Sequence, residues 1–335
     1  MRGRLRLLAL LTSGVAALAG CGSGADAPDA AAPSGGADRP VTVEHAFGST
    51  EVPAEPQRVV AWGWGSADAA IALGVVPVAM PTQTYGGDED GVLPWIRERL
   101  EQDGEQVPDL LPDAQEPPLE AIAAADPDVI LAPYSGITEQ EYELLSRIAP
   151  TVAYPELPWA TPWRDTIRVV GAALGRSEQA EDLLAGIDQQ VTDAAAAHPE
   201  LDGVSVALVW STPDAFYVYR PQDPRVEFTL DLGPVSAGPV EALAEGDSTF
   251  FYTLSTERLD ELDSDLLVSF ADTEEASRAF LDSPEAQLMS QVRRGAVAEI
   301  VGTERIAAVS PPTALSLTWG LGDYVAALGE AVASR

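Results

Sequence analysis

Short apolar runs alternate with helix-like stretches along this chain, and they do so twice, on either side of one long amphipathic segment. That alternation constrains the fold more than any other feature. A buried apolar run flanked by helices reads as a strand of a parallel sheet, because a parallel neighbour is reached only through a crossover. In the first half, Arg58-Val-Val-Ala-Trp62, Val75 to Met80, Asp128-Val-Ile-Leu-Ala-Pro133 and Thr151-Val-Ala-Tyr154 read as strands. Ser66 is placed to cap a helix that runs through Leu73 and ends at Gly74, and Glu139 to Ile148 reads as another helix. In the second half, Val204 to Trp210, Asp265 to Phe270 and Val297 to Val301 are the strands, and Pro312 to Leu328 is a loop followed by a helix.

Between the halves, Ser177 can cap a helix in which Ala180, Leu183, Leu184, Ile187 and Val191 form an apolar stripe ending near His198-Pro199. Some twenty helical residues span about 30 Å, enough to cross the side of two lobes. A helical bridge resists bending, so a small twist is expected rather than wide closure. The halves also echo each other. Glu120-x-Ile122-x-x-x-Asp126-x-Asp128-Val-Ile-Leu has the spacing of Glu257-x-Leu259-x-x-x-Asp263-x-Asp265-Leu-Leu-Val. Each reads as a short helix, an acidic turn and a buried strand. The expected fold is α/β: two Rossmann-like lobes with parallel sheets, residues 41–175 and 200–335, joined by a helix at 176–199, with a ligand cleft between them.

The amino terminus is of another kind. Residues 1–20 carry Arg2, Arg4 and Arg6 ahead of a mostly apolar stretch, Leu7 to Leu18, too short to span a bilayer comfortably. Leu18-Ala19-Gly20-Cys21 resembles the bacterial lipobox. That resemblance implies a lipoprotein signal peptide at 1–20, cleavage before Cys21, and a diacylglycerol on its thiol. Residues 21–40 are Gly, Ala, Pro, Ser and Asp with almost nothing to bury, which reads as a disordered tether.

Composition removes several functions. The net charge is −34, and all 19 basic residues are arginine. An acidic surface repels phosphate, which excludes nucleic acid. It would not adhere to an anionic membrane by charge, so membrane attachment falls to the lipid. With no lysine there is neither a P-loop nor a Schiff base; no G-x-S-x-G or G-x-G-x-x-G occurs either. Two histidines are too few for a His-rich metal site, and His45 and His198 read as solvated surface residues. No pair of carboxylates stands out as an acid–base couple, so no catalytic residue, cofactor or protein-bound metal is expected.

Ligands of parallel α/β lobes bind beyond the carboxyl ends of the strands. Trp62 and Trp64 follow the first strand, and Tyr85 the second. Tyr134 follows the third, Trp210 ends the first strand of the second half, and Tyr219, Arg220 and Arg225 come soon after. Trp319 is expected in the loop before the last helix. Together they suit a large ligand with apolar arms and a polar centre, although each aromatic could equally be core or rim. Arg220 and Arg225 could meet electron-rich oxygens, or only pair with neighbours such as Asp223.

Lipobox, tether, lobe, long helix and second lobe resemble the substrate-binding lipoproteins of ABC importers that take up ferric siderophores, haem or cobalamin. The stretches Gly86 to Trp95, Tyr134-Ser-Gly136, Ile148 to Tyr154, Tyr217 to Pro221 with Asp223-Pro-Arg225, and Pro312 to Leu317 with Trp319 are similar to actinobacterial iron–siderophore binding lipoproteins. The resemblance implies a monomeric carrier on the outer face of the cytoplasmic membrane. Its partners would be a permease with its ATPase, and its ligand a ferric siderophore that holds its own iron. An aromatic cleft with one or two arginines favours a hydroxamate or mixed-type ligand over a strongly anionic catecholate. Haem or cobalamin stays open as an alternative, with Tyr134 or Tyr219 as a haem axial ligand. A lipoprotein hydrolase with a cryptic carboxylate site is more distant. The resemblance also implies that Glu120 and Glu257, one per lobe, meet arginines of the permease. Both lie near helix starts, where a negative side chain suits the helix dipole without any partner.

Overall fold

The computed structural model describes residues 39–246 and 248–334. The leader, Cys21 and most of the proposed tether lie outside them. The first described element is a hairpin of β1 (Val41–His45) and β2 (Gly48–Val52). A five-stranded sheet follows: β3 (Val59–Ala61), β4 (Ala79–Pro81), β5 (Asp109–Leu111), β6 (Val129–Leu131) and β7 (Thr151–Val152). Its order is β5-β4-β3-β6-β7, and every pair is parallel. All residues of β3 and β6 are buried, as strands covered on both faces require.

The second sheet contains β8 (Ser205–Ser211), β9 (Phe216–Tyr219), β10 (Val235–Ser236), β11 (Phe251–Thr253), β12 (Leu266–Ala271) and β13 (Val297–Val301). Its order is β11-β9-β8-β12-β13, with β10 beside the start of β8. It is parallel except for β9, which runs against both β8 and β11. The exception comes from a tight turn at Pro213-Asp214, closed by the Thr212 N–H on Ala215 O at 2.9 Å. In both sheets the chain works outward from a central strand and then crosses to that strand's other side. The resulting switch points lie between β3 and β6 and between β8 and β12.

The echoed motif has a matching physical role in each sheet. Asp128, one residue before β6, accepts the Gln57 and Arg58 N–H groups at 2.8 and 3.1 Å, just ahead of β3. Asp265, one residue before β12, accepts the Ser205 N–H and hydroxyl at 3.0 and 2.7 Å, at the start of β8. Each carboxylate thereby fixes the register of the central strand pair. Ile122 and Leu259 are buried beneath their sheets. The first segment is an α-helix (Leu119–Ala124); the second is a 3-10 turn (Thr256–Glu261).

The bridging helix, Ser177–Ala197, buries Ala180, Leu184, Ile187 and Val191. Its N-cap is Arg176 rather than Ser177, and the Arg176 guanidinium reaches back to the Leu73 carbonyl. The last helix, Ser316–Ala333, packs on the bridge and on β13. One apolar cluster runs through both halves, from Val43, Val59 and Val129 to Val206, Val268 and Val325. Several local expectations shift. Gly65, at φ +73°, takes the cap position expected for Ser66, whose hydroxyl instead donates to Trp62 O at 3.1 Å. The strand expected from Val75 begins only at Ala79, since Pro77 has no N–H to offer a ladder. His45 is buried rather than solvated: its Nε2 is 2.9 Å from Thr50 Oγ1, and its Nδ1 accepts the Phe47 N–H. His198 is half-buried and meets Glu200 at 2.9 Å. Among the described residues no helix is long and apolar enough to cross a membrane.

The paired register role makes a prediction. Asp128→Ala and Asp265→Ala should each lower unfolding stability by about 1.5–3 kcal/mol, the value of hydrogen bonds to a charged acceptor. Urea denaturation reads this. A loss at only one of the two sites would show that the echo is not functionally paired.

Candidate functional site

At the first switch point the chain turns sharply through Trp62-Gly63-Trp64. The Trp64 N–H donates to Tyr134 O at 3.1 Å, and Gly63 has φ +90°. A Cβ on Gly63 would stand 2.3 Å from that same carbonyl, so only glycine allows the two loops to meet. This approach presents Tyr134 at the mouth of the first sheet. At the second switch point, Trp210 near the end of β8 and Asp272 just past β12 face a loop of the first half. Tyr85 crosses to them: its hydroxyl donates to Asp272 at 2.9 Å, and its ring lies 6.4 Å from that of Trp210.

Between the sheets lies a cavity of about 490 Å³, within the usual range for small-molecule sites. Tyr134, Trp159 and Thr161 line it from the first half, and Asp223, Arg225, Glu227, Phe250 and Phe251 from the second. Ser310 and Pro311 form part of its floor. That floor is fastened to the first half. The Trp64 indole N–H donates to Pro311 O at 2.9 Å. The buried Asp68 carboxylate accepts from Trp95 at 2.6 Å and from Thr313 at 2.5 Å. Burial pushes the Asp68 carboxyl above its ordinary range, and the two donors counter this.

Arg225 is the cation of the cavity. Its Nε and Nη2 donate to the two oxygens of the buried Asp223 at 2.7 and 2.8 Å, and its guanidinium lies 3.7 Å from the centre of the Tyr219 ring. Burial is the largest single influence and works against the charge, but the hydrogen bond and charge of Asp223, together with Tyr219, outweigh it and hold Arg225 above its ordinary range. Burial also raises the tyrosines: Tyr219 is pushed up to about 12, and Tyr134 moves in the same direction. Both hydroxyls therefore stay protonated as donors, which works against phenolate ligation of a metal. Among the described residues no group of three or more His, Cys, Asp or Glu could hold a metal ion.

Of the nine residues expected to bind ligand, Tyr134 and Arg225 line the cavity directly. Tyr85 and Trp210 form the cross-contact at the second switch point, and Tyr219 lies under Arg225. Trp64 supports the floor. Three are elsewhere. Trp62 is only 7% exposed and packs in the core of the first sheet, not on its rim. Arg220 is held by Glu241 at 3.1 and 2.8 Å and by Ser248 O, away from the cavity lining. Trp319 is in the first turn of the last helix, not in a loop, and stacks toward Trp95 at 5.5 Å. It borders a separate cavity of about 210 Å³ with Arg305 and Tyr324. Glu120 and Glu257 are both exposed at the starts of their segments, after β5 and β11.

Trp159 escaped the sequence reading. It is 55% exposed, lies edge-on to Tyr134 at 5.8 Å, and has φ +57°, a strained backbone for so large a residue. Gly136 makes room for it: a Cβ there would lie 2.1 Å from the indole nitrogen. Leu157-Pro-Trp159 gave no periodic signal, and a positive φ at tryptophan cannot be read from residue type.

The family described as periplasmic binding protein matches residues 59–302. The chain belongs to that family. Among relatives of this periplasmic binding protein, the probable siderophore-binding lipoprotein YfiY of Bacillus subtilis is 29% identical over 194 residues, 58% of this chain and 55% of YfiY. The achromobactin-binding periplasmic protein of Dickeya dadantii is 35% identical over 130 residues, 38% of each chain. The chain thus spans about half the length of the curated relatives it matches, or less. Among solved structures, Streptococcus pneumoniae PiaA in complex with ferrichrome superposes with a TM-score of 0.77 at 33% identity, covering 88% of this chain and 99% of PiaA. A periplasmic solute binding protein from Mycobacterium smegmatis gives 0.76 at 27%, with the same coverage.

The contrast between the two tryptophans is testable by melting alone. Trp62→Ala should cost about 3–5 kcal/mol, as for other buried aromatics. Trp159→Gly should melt at or above the wild-type temperature, because glycine adopts φ +57° without strain. A large loss in Trp159→Gly would make that residue a core element rather than a cavity wall.

Proposed function

We propose that this chain is the substrate-binding lipoprotein of an ABC importer, capturing a ferric siderophore outside the cell and handing it unchanged to the permease. The observation that carries this reading is the cavity lined by residues of both halves, which joins aromatic faces to one oriented arginine. A ferric siderophore has the complementary form. Its iron is already sheathed in oxygens, which can accept from Arg225 and Tyr134. Its carrier arms can lie on Trp159, Phe250 and Phe251. PiaA is solved in complex with ferrichrome, the Dickeya dadantii protein is named as achromobactin-binding, and YfiY is named a probable siderophore-binding lipoprotein. A hydroxamate or mixed-type ligand fits best, because the single cation of the cavity is already paired. No cofactor is required, since the ligand brings the metal.

The lipobox supports anchoring through Cys21, with residues 21–40 as tether and the folded body on the outer face of the cytoplasmic membrane as a monomer. Glu120 and Glu257 support docking. They are exposed, one per half, and neither makes an ion pair among the described residues. Carboxylates so placed would orient the carrier on a paired permease and steer its approach.

One experiment tests capture and delivery together. Wild-type protein should show saturable tryptophan quenching by a ferric hydroxamate and support iron uptake in cells. Glu120→Arg with Glu257→Arg should bind the same complex within about twofold and melt within about 1 kcal/mol of wild type, yet fail to support uptake. No quenching by any ferric siderophore would overturn the function. Normal uptake by the double variant would remove the docking role alone.

A further inference from the structure

We propose that Glu227 selects for a pendant positive charge, so that the preferred ligand is a ferric trihydroxamate bearing a free primary ammonium group. This rests on the ferric-siderophore reading above and narrows it. Three charged side chains line the cavity: Asp223, Arg225 and Glu227. The first two neutralise each other through a two-point contact. The carboxylate of Glu227 is left over, and the cavity wall is net negative.

Among the described residues no cation pairs with Glu227 directly. The guanidinium that acts on it, Arg164, is shared between Asp188 at 2.7 Å and Asp231 at 3.2 Å. Burial, then Asp231 and Asp223, hold the Glu227 carboxyl above its ordinary range, with Arg164 opposing them. Glu227 is nonetheless exposed, so an incoming cation would gain a solvent-screened contact with it. Trp159, Phe250 and Phe251 line the same cavity, and aromatic faces suit an ammonium. The overall charge of −34 also raises the local concentration of cationic ligands and repels anionic ones. A ferric tricatecholate is strongly anionic and is disfavoured at such a wall. A ferric trihydroxamate core is neutral and is tolerated, and an amine on its periphery gives Glu227 its partner.

The test compares two complexes that differ only at that amine: a linear ferric trihydroxamate with a free terminal ammonium, and its N-acetylated form. Tryptophan fluorescence titration of the full chain at low salt should give about fivefold tighter binding of the ammonium form, the scale of a partly exposed ion pair. The ratio should shrink at high salt and fall to about one in Glu227→Gln, whose melting temperature is read alongside. Equal affinities in the wild type, or a preference that survives Glu227→Gln, would overturn this proposal and leave the siderophore reading intact. No binding of either complex, nor of any ferric siderophore, would overturn both.

Discussion

The cleft depends on a buried carboxylate. Asp68, at the start of the helix that follows the first central strand, is 2% exposed and accepts from Trp95 of its own half and from Thr313 of the other. Those bonds hold the segment around Pro311 against the first sheet, and that segment is the cleft floor. The chain therefore connects its halves twice, once through the bridging helix and again through this returning loop. The apolar cluster shared by both sheets completes the frame. The bridging helix and the returning loop both tie the two halves together.

That frame explains the form of the site. Both sheets change direction at a central strand pair, and both pairs are set by an aspartate immediately before the second strand, Asp128 or Asp265. With register fixed from below, the loops above the strands are free to carry chemistry. The first half supplies Tyr134 and Trp159; the second supplies Arg225, anchored on Asp223 and stacked on Tyr219. The arginine is oriented before any ligand arrives, which lowers the ordering cost of binding.

Much of the frame was legible in the sequence because burial leaves a pattern. The apolar runs marked the central strands, and the stripe from Ala180 to Val191 marked the bridge. The repeated Glu-to-Asp spacing marked the two equivalent corners, although not the hydrogen bonds that explain it. The site was less legible because a tryptophan has the same identity in a core and on a rim. Trp62 follows a strand as a ligand-contacting residue would, yet it is buried in the apolar cluster of the first sheet. Trp319 belongs to a helix whose first turn packs on Trp95. Arg220 and Arg225 differ by the company of Glu241 and Asp223, which only tertiary structure decides. Trp159 could be found only from its backbone conformation and from the space left by Gly136.

The cleft's role as the ligand site is most directly tested by locating the metal. Crystals of the protein with a ferric hydroxamate, measured at the iron absorption edge, should show one anomalous peak inside the cavity bounded by Tyr134, Trp159 and Arg225. A peak in the smaller cavity beside Trp319, or bound ligand with its iron elsewhere on the surface, would contradict the assignment of this cleft.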